Sequence, residues 1–145
     1  MDVKNKVIDL IKRYGTDNPV KIAKELGIQI MYAPLGGSKY GNYIRYKRVK
    51  TIIIDKAATP PKLIRFVFAH ELGHAVCTPD ANTQWLDEYT LGVNSSQVES
   101  LANTFAVELL LNDRYLHDNE EYGVYQLAHY RGVPEKLVVL KDFLI

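Results

Sequence analysis

The chain has a single cysteine, Cys77, so no disulfide framework can hold its fold, and a reducing compartment suits it. No apolar run approaches the roughly 18 residues needed to cross a bilayer. The N-terminus, Met1-Asp2-Val3-Lys4-Asn5-Lys6, lacks the apolar core of a secretory signal. Charge of one sign is also missing. Eighteen Lys and Arg against 17 Asp and Glu leave a net +1, which offers no global field for nucleic acid or an anionic membrane. There remain 145 residues, 47% hydrophobic and 24% charged, enough for one domain with a real core and too few for two. The expectation is a single domain over residues 1–145 in the cytoplasm. It divides into N-terminal helices and sheet (1–58), a central helical pair (59–112) and a C-terminal helical pair (113–145).

The stretch that carries chemistry is His70-Glu71-Leu72-Gly73-His74. On a helix, residues four apart stack on one face, so the imidazoles of His70 and His74 reach one ion. Glu71 is the next residue round, beside that face, where it can take a proton from water without occupying the metal. The context supports a helix. Thr59 can serve as N-cap and Pro60-Pro61 suit a first turn, where a missing N–H is not needed. Leu63, Phe66 and Val67 share the helical face of the two histidines, so the motif is half-buried rather than solvated. Gly73 costs about 1 kcal/mol inside a helix relative to alanine, which close approach of another element or of substrate would offset.

Before the motif, Val3, Val7, Ile8, Ile11 and Tyr14 mark an amphipathic helix ended by Gly15. Asn18-Pro19 opens a short second helix with Gly27 as its stop. Residues 28–33, 42–47 and 51–54 read as strands, with a basic turn over 47–50 that lacks the Asn-Gly of the tightest hairpins. The expected fold class is α+β, with a small three-stranded antiparallel sheet packed against several helices. Tyr40, Tyr43 and Tyr46 fit a half-exposed sheet face better than a binding stripe. A free edge of the sheet can hold an extended peptide by strand addition. Residues 78–93 form a long connection, with Trp85 as its packing anchor.

After the connection, Asn94-Ser95-Ser96-Gln97 opens a helix whose apolar face is Val98, Leu101, Ala102, Phe105 and Leu109. Glu99 stands among small residues there, as a third ligand from a second helix requires. Ser96-x-x-Glu99 is also a capping box, although Asn94-x-x-Gln97 can do that job. By spacing, Glu99 leads a field that includes Asp87, Glu88, Glu108 and Asp113. Asn103 is a candidate to orient a ligand imidazole. Cys77 reads as a small buried hydrophobe, and His117 and His129 as ordinary surface or cap residues.

Phe66-x-x-Ala69-His70-Glu71-Leu72-Gly73-His74, followed by Glu99-x-x-Ala102-Asn103-x-Phe105-Ala106-x-x-Leu109-Leu110, resembles the ImmA/IrrE family of metallopeptidases. The strand Thr51-Ile52-Ile53-Ile54-Asp55 and the early Ile22-Ala23-x-x-Leu26-Gly27-Ile28 carry the likeness over most of residues 18–112. The resemblance implies a zincin-like fold with the motif on a core helix. It implies His70, His74 and Glu99 as ligands of Zn2+, with Mn2+ or Fe2+ as substitutes, and Glu71 as the catalytic carboxylate. It also implies a helix-turn-helix repressor as protein substrate, cut to relieve repression. The chain departs from the family at Asp55, where Asn is frequent, and at Asn112-Asp113, where Met-Pro is frequent. Neither position touches a proposed ligand.

Two other functions compete. A metal-containing module could bind and antagonise a repressor without cutting it, but such a module has no use for Glu71. A DNA-binding regulator would use the helices of residues 118–145, where a helix ending near Gly132 precedes another from Pro134. There Glu135 and Asp142 balance Lys136 and Lys141, so no basic reading surface forms and nucleic acid is not the expected partner. Neither a membrane nor a particular oligomeric state is implied.

Overall fold

The computed structural model describes residues 1–81 and 93–143, with the main chain alone at 93–96. Most of the 78–93 connection, Trp85 included, lies outside the described residues. The elements are helices α1 (Val3–Tyr14) and α2 (Pro19–Glu25), strands β1 (Gln29–Tyr32), β2 (Gly41–Tyr46) and β3 (Val49–Ile54), a 3-10 turn (Pro61–Leu63), α3 (Ile64–Cys77), α4 (Val93–Leu110), α5 (Asp113–Asp118), α6 (Val124–Arg131) and a 3-10 segment (Glu135–Leu140). The N-terminal punctuation acts as its chemistry requires. Asn18 Oδ1 accepts from Val20 and Lys21 N–H at the start of α2, and Gly15 takes φ +67° after α1.

The sheet corrects the antiparallel expectation. Its order is β1-β3-β2, with β2 antiparallel to β3 and β1 parallel to β3. The reason is topological. The chain reverses between β1 and β2, and again at the hairpin, so β3 runs parallel to β1. Because β3 inserts between them, the β1 contact is parallel. The hairpin is also tighter than expected. Tyr46 pairs with Val49, leaving Lys47-Arg48 as the turn, and Lys47 accepts φ +56° in place of the glycine that usually does so. Tyr43 is no surface residue. It is fully buried and its hydroxyl donates to Pro79 O at 2.6 Å, while Tyr46 is exposed.

Thr59 is not the N-cap of the motif helix. It is buried, and its hydroxyl donates to Asp55 O at 2.6 Å. Prolines 60 and 61 leave few N–H groups to satisfy, so a 3-10 turn starts the helix without a side-chain cap. α3 is buried nearly all round, and α4 is the element it packs on most extensively. Gly73 makes that packing possible. A Cβ there would lie 3.0 Å from Ala102 Cα, Ala102 O and Phe105 Cβ.

The C-terminal third departs from a helical pair. An unanticipated helix, α5, begins where Asn112 Oδ1 accepts from Tyr115 N–H. The last element is a six-residue 3-10 segment rather than an α-helix, so it is not built like a recognition helix. The two departures from the family pattern have local structural work. Asp55 accepts from Leu35 and Ala58 N–H, and Asn112 also donates to Asp17 and Leu109 O.

Candidate metal centre

One turn of α3 separates His70 from His74, and their Nε2 atoms lie 3.1 Å apart. Glu99 comes from α4 and closes the triangle. Its two carboxylate oxygens stand 3.1 Å from His70 Nε2 and 3.1 Å from His74 Nε2. The close helix contact at Gly73 permits this approach, one residue before His74. Glu99 is therefore engaged with the imidazoles and not in a capping box, and Ser96 lies inside α4 rather than at its start. Among the alternative ligands, Glu108 and Asp113 are both paired with Lys141, and Asp87 and Glu88 lie outside the described residues.

The donor set fits a divalent cation. Bonds of about 2.0–2.1 Å at tetrahedral angles space ligand atoms about 3.3 Å apart, close to the separations here. The tautomer also suits. His70 Nδ1 lies 2.8 Å from Asn103 Oδ1, and an amide oxygen only accepts, so Nδ1 carries the proton and Nε2 is left with its lone pair. His74 Nδ1 is buried and has no partner among the described residues.

Glu71 is 5% exposed, and its Oε1 has no partner among the described residues. A buried, unsatisfied carboxylate oxygen is costly unless function uses it. Its ligating atom lies within 4.8 Å of those of the two histidines. Burial pushes the Glu71 carboxyl up, the Glu99 charge adds to this, and the imidazoles and Lys39 only partly oppose it. For Glu99, burial is outweighed by the hydrogen bonds and charges of both histidines, and its carboxyl is held well below the usual carboxylate range. For His70, burial acts downward, yet the bond to Glu99, the charges of Glu71 and Glu99, and Asn103 raise it overall. The negative field that favours an imidazolium favours a metal cation equally.

A cleft of about 370 Å³ opens over these groups. Residues 39–42 line one side, Leu63 of the 3-10 turn with Phe66 and Val67 of the motif helix another, and Pro134 reaches it from the C-terminal segment. The sheet presses close here, because a Cβ on Gly41 would lie 2.7 Å from Val67 Cγ1 and 3.1 Å from Glu71 Oε2. Among the described residues, β2 is an edge strand. Tyr46 and Val49 flank the turn, so alternation leaves the N–H and C=O groups of Gly41, Tyr43 and Arg45 facing away from β3. The sequence anticipated a sheet edge but not which strand would form it, and it placed the start of this strand at Asn42 rather than Gly41. A larger hollow of about 930 Å³, beside Ile11, Lys12 and Arg131, has no comparable convergence: Arg131 donates to Asp17 and stacks on Tyr115.

The chain is 41% identical over 143 residues to the uncharacterized immunity region protein 2 of Bacillus phage phi105, covering 97% of this chain and 89% of that one. It is 30% identical over 141 residues to the metallopeptidase ImmA of Bacillus subtilis (strain 168), covering 91% of this chain and 79% of that one. No solved structure matches the chain. The profile of the IrrE N-terminal-like domain matches residues 23–141, and the chain belongs to that family, peptidase family M78.

Proposed function

We propose that this protein is a zinc-dependent endopeptidase that cuts a helix-turn-helix repressor and so relieves repression. The observation that carries the reading is the convergence of His70, His74 and Glu99 beside a buried Glu71, one oxygen of which has no partner among the described residues. Two imidazoles and a carboxylate suit zinc and leave a position open, and manganese or iron also bind such donors. A cation held there supplies Lewis acidity, which polarises a carbonyl and acidifies a water. Glu71 takes the proton of the attacking water and returns it to the departing amine. The two relatives, an immunity region protein and a metallopeptidase, support a peptidase of this kind.

The test is Glu71→Gln. Loss of a general base costs about 10²–10⁴-fold, so cleavage of the repressor encoded nearby falls by that factor, while zinc content and repressor binding persist. Chelation abolishes cleavage of the parent and added zinc restores it. A Glu71→Gln protein that relieves repression as fully as the parent overturns the peptidase reading in favour of a binding module.

A further inference from the structure

The peptidase reading leaves one charge unanswered. When water adds to the scissile carbonyl carbon, the π electron pair moves to the carbonyl oxygen, and donors placed at that oxygen accelerate the step. Lys39 supplies the only lysine or arginine side chain among the described residues that line the cleft. Its direction follows from the strand. Asp55 N–H donates to Tyr40 O at 2.8 Å, so the ladder with β3 continues one residue before Gly41. Alternation then puts Lys39, Gly41 and Tyr43 on one face. A Cβ on Gly41 points at Val67 and Glu71, and Tyr43 is buried, so this is the α3 face. Two extended residues span about 6.6 Å. A lysine stem is long enough to bridge such a distance, and Lys39 and Glu71 line the same cleft.

Other donors are less suited. Asn103, Asn42 and Tyr40 also line the cleft, but none brings the cationic charge that Lys39 does.

We propose that Lys39 is a further catalytic residue, whose ammonium stabilises the negative charge that develops on the scissile carbonyl oxygen. The proposal rests on the peptidase reading. It adds no proton transfer, because Glu71 carries the proton from water to amine and Lys39 remains an ammonium throughout. The Coulombic pull of Lys39 on the Glu71 carboxyl accords with their shared space.

The experiment compares Lys39→Met and Lys39→Arg with the parent, all zinc-loaded. The first readout is calorimetric binding of N-phosphoryl-leucine amide, whose charged oxygens mimic the developing oxyanion, against acetohydroxamate, which needs only the metal. Lys39→Met is expected to lose about 10²–10³-fold in phosphoryl affinity, the usual cost of an oxyanion donor, with acetohydroxamate affinity retained and Lys39→Arg intermediate. The second readout is turnover of a peptide spanning the mapped cut site, where kcat falls by a similar factor and KM holds. The proposal is overturned if Lys39→Met keeps kcat within about threefold or raises KM alone, the sign of uniform binding. It is also overturned if both ligands weaken together. Should the parent cleave nothing, the peptidase reading fails, while phosphoryl binding still reports on Lys39.

Discussion

Asn103 stands to His70 as an orienting partner through a single 2.8 Å contact. Removing such a partner costs metal sites about 10–100-fold in affinity. Asn103→Ala is therefore expected to bind zinc 10–100-fold more weakly in chelator competition, with its far-UV spectrum unchanged; unaltered zinc affinity would show the contact to be idle. A second residue reports on pH. Burial lifts the Tyr43 hydroxyl from 10.0 to about 12. A group whose folded value is raised stabilises fully below its unfolded value, so this contribution is intact below about pH 10 and is lost as pH rises toward 12. The loss accumulates progressively across that window. Tyr43→Phe forfeits the bond to Pro79 O, about 1 kcal/mol at neutral pH, but should flatten the alkaline limb of the urea-stability profile. Parallel limbs for the two proteins would contradict this.

At the scale of elements, the metal centre depends on how closely α3 and α4 approach. Gly73→Ala puts a methyl 3.0 Å from backbone and side-chain atoms of α4. Helix propensity favours the change by about 1 kcal/mol, whereas overpacking costs about 1–3 kcal/mol. The contact includes backbone, which cannot swing aside, so the net expectation is a lower Tm together with weaker zinc binding as Glu99 is pushed from the histidines. A rise in Tm with zinc affinity intact would refute the argument. The two helices were legible in sequence because HExxH and the Glu99–Leu110 pattern are local and periodic. The glycine's purpose was half legible: its cost was plain, and its neighbour was not. Sheet topology was illegible for a different reason. Residues 51–54 are β-branched and buried, which suits a central strand, but no local signal says which strand lies on each side. The helix at Asp113, by contrast, carried a local signal: Asn112 is its N-cap, and its Oδ1 accepts from Tyr115 N–H three residues on.

Across the whole molecule, the two ends of the chain meet at Lys141. Its ammonium is fully buried and donates to Glu108 Oε1 at 2.7 Å and Asp113 Oδ1 at 2.8 Å. Asp142 N–H donates to Glu108 Oε2, and Lys4 of α1 bridges Asp113 and Asp142 O. Glu108 lies on α4, nine residues beyond Glu99, so the network anchors the helix that carries the proposed third ligand. Breaking one side of a buried pair costs about 3–5 kcal/mol, because the other charge is stranded. Lys141→Met is expected to lose that much stability in urea titration, and the double change Lys141→Met, Glu108→Leu much less. Equal losses would mean that packing, not charge, holds the tail. The same network sets acid sensitivity. Burial alone would raise the Asp113 carboxyl, but the hydrogen bonds and charges of Lys141 and Lys4 hold it below its ordinary value. A depressed carboxylate stabilises above its unfolded value, about 3.9, and that contribution disappears as pH falls through the folded one. The parent should therefore lose stability below about pH 4 more steeply than Asp113→Asn, whose titratable partner is gone. An identical acid limb in both proteins would remove Asp113 from the account.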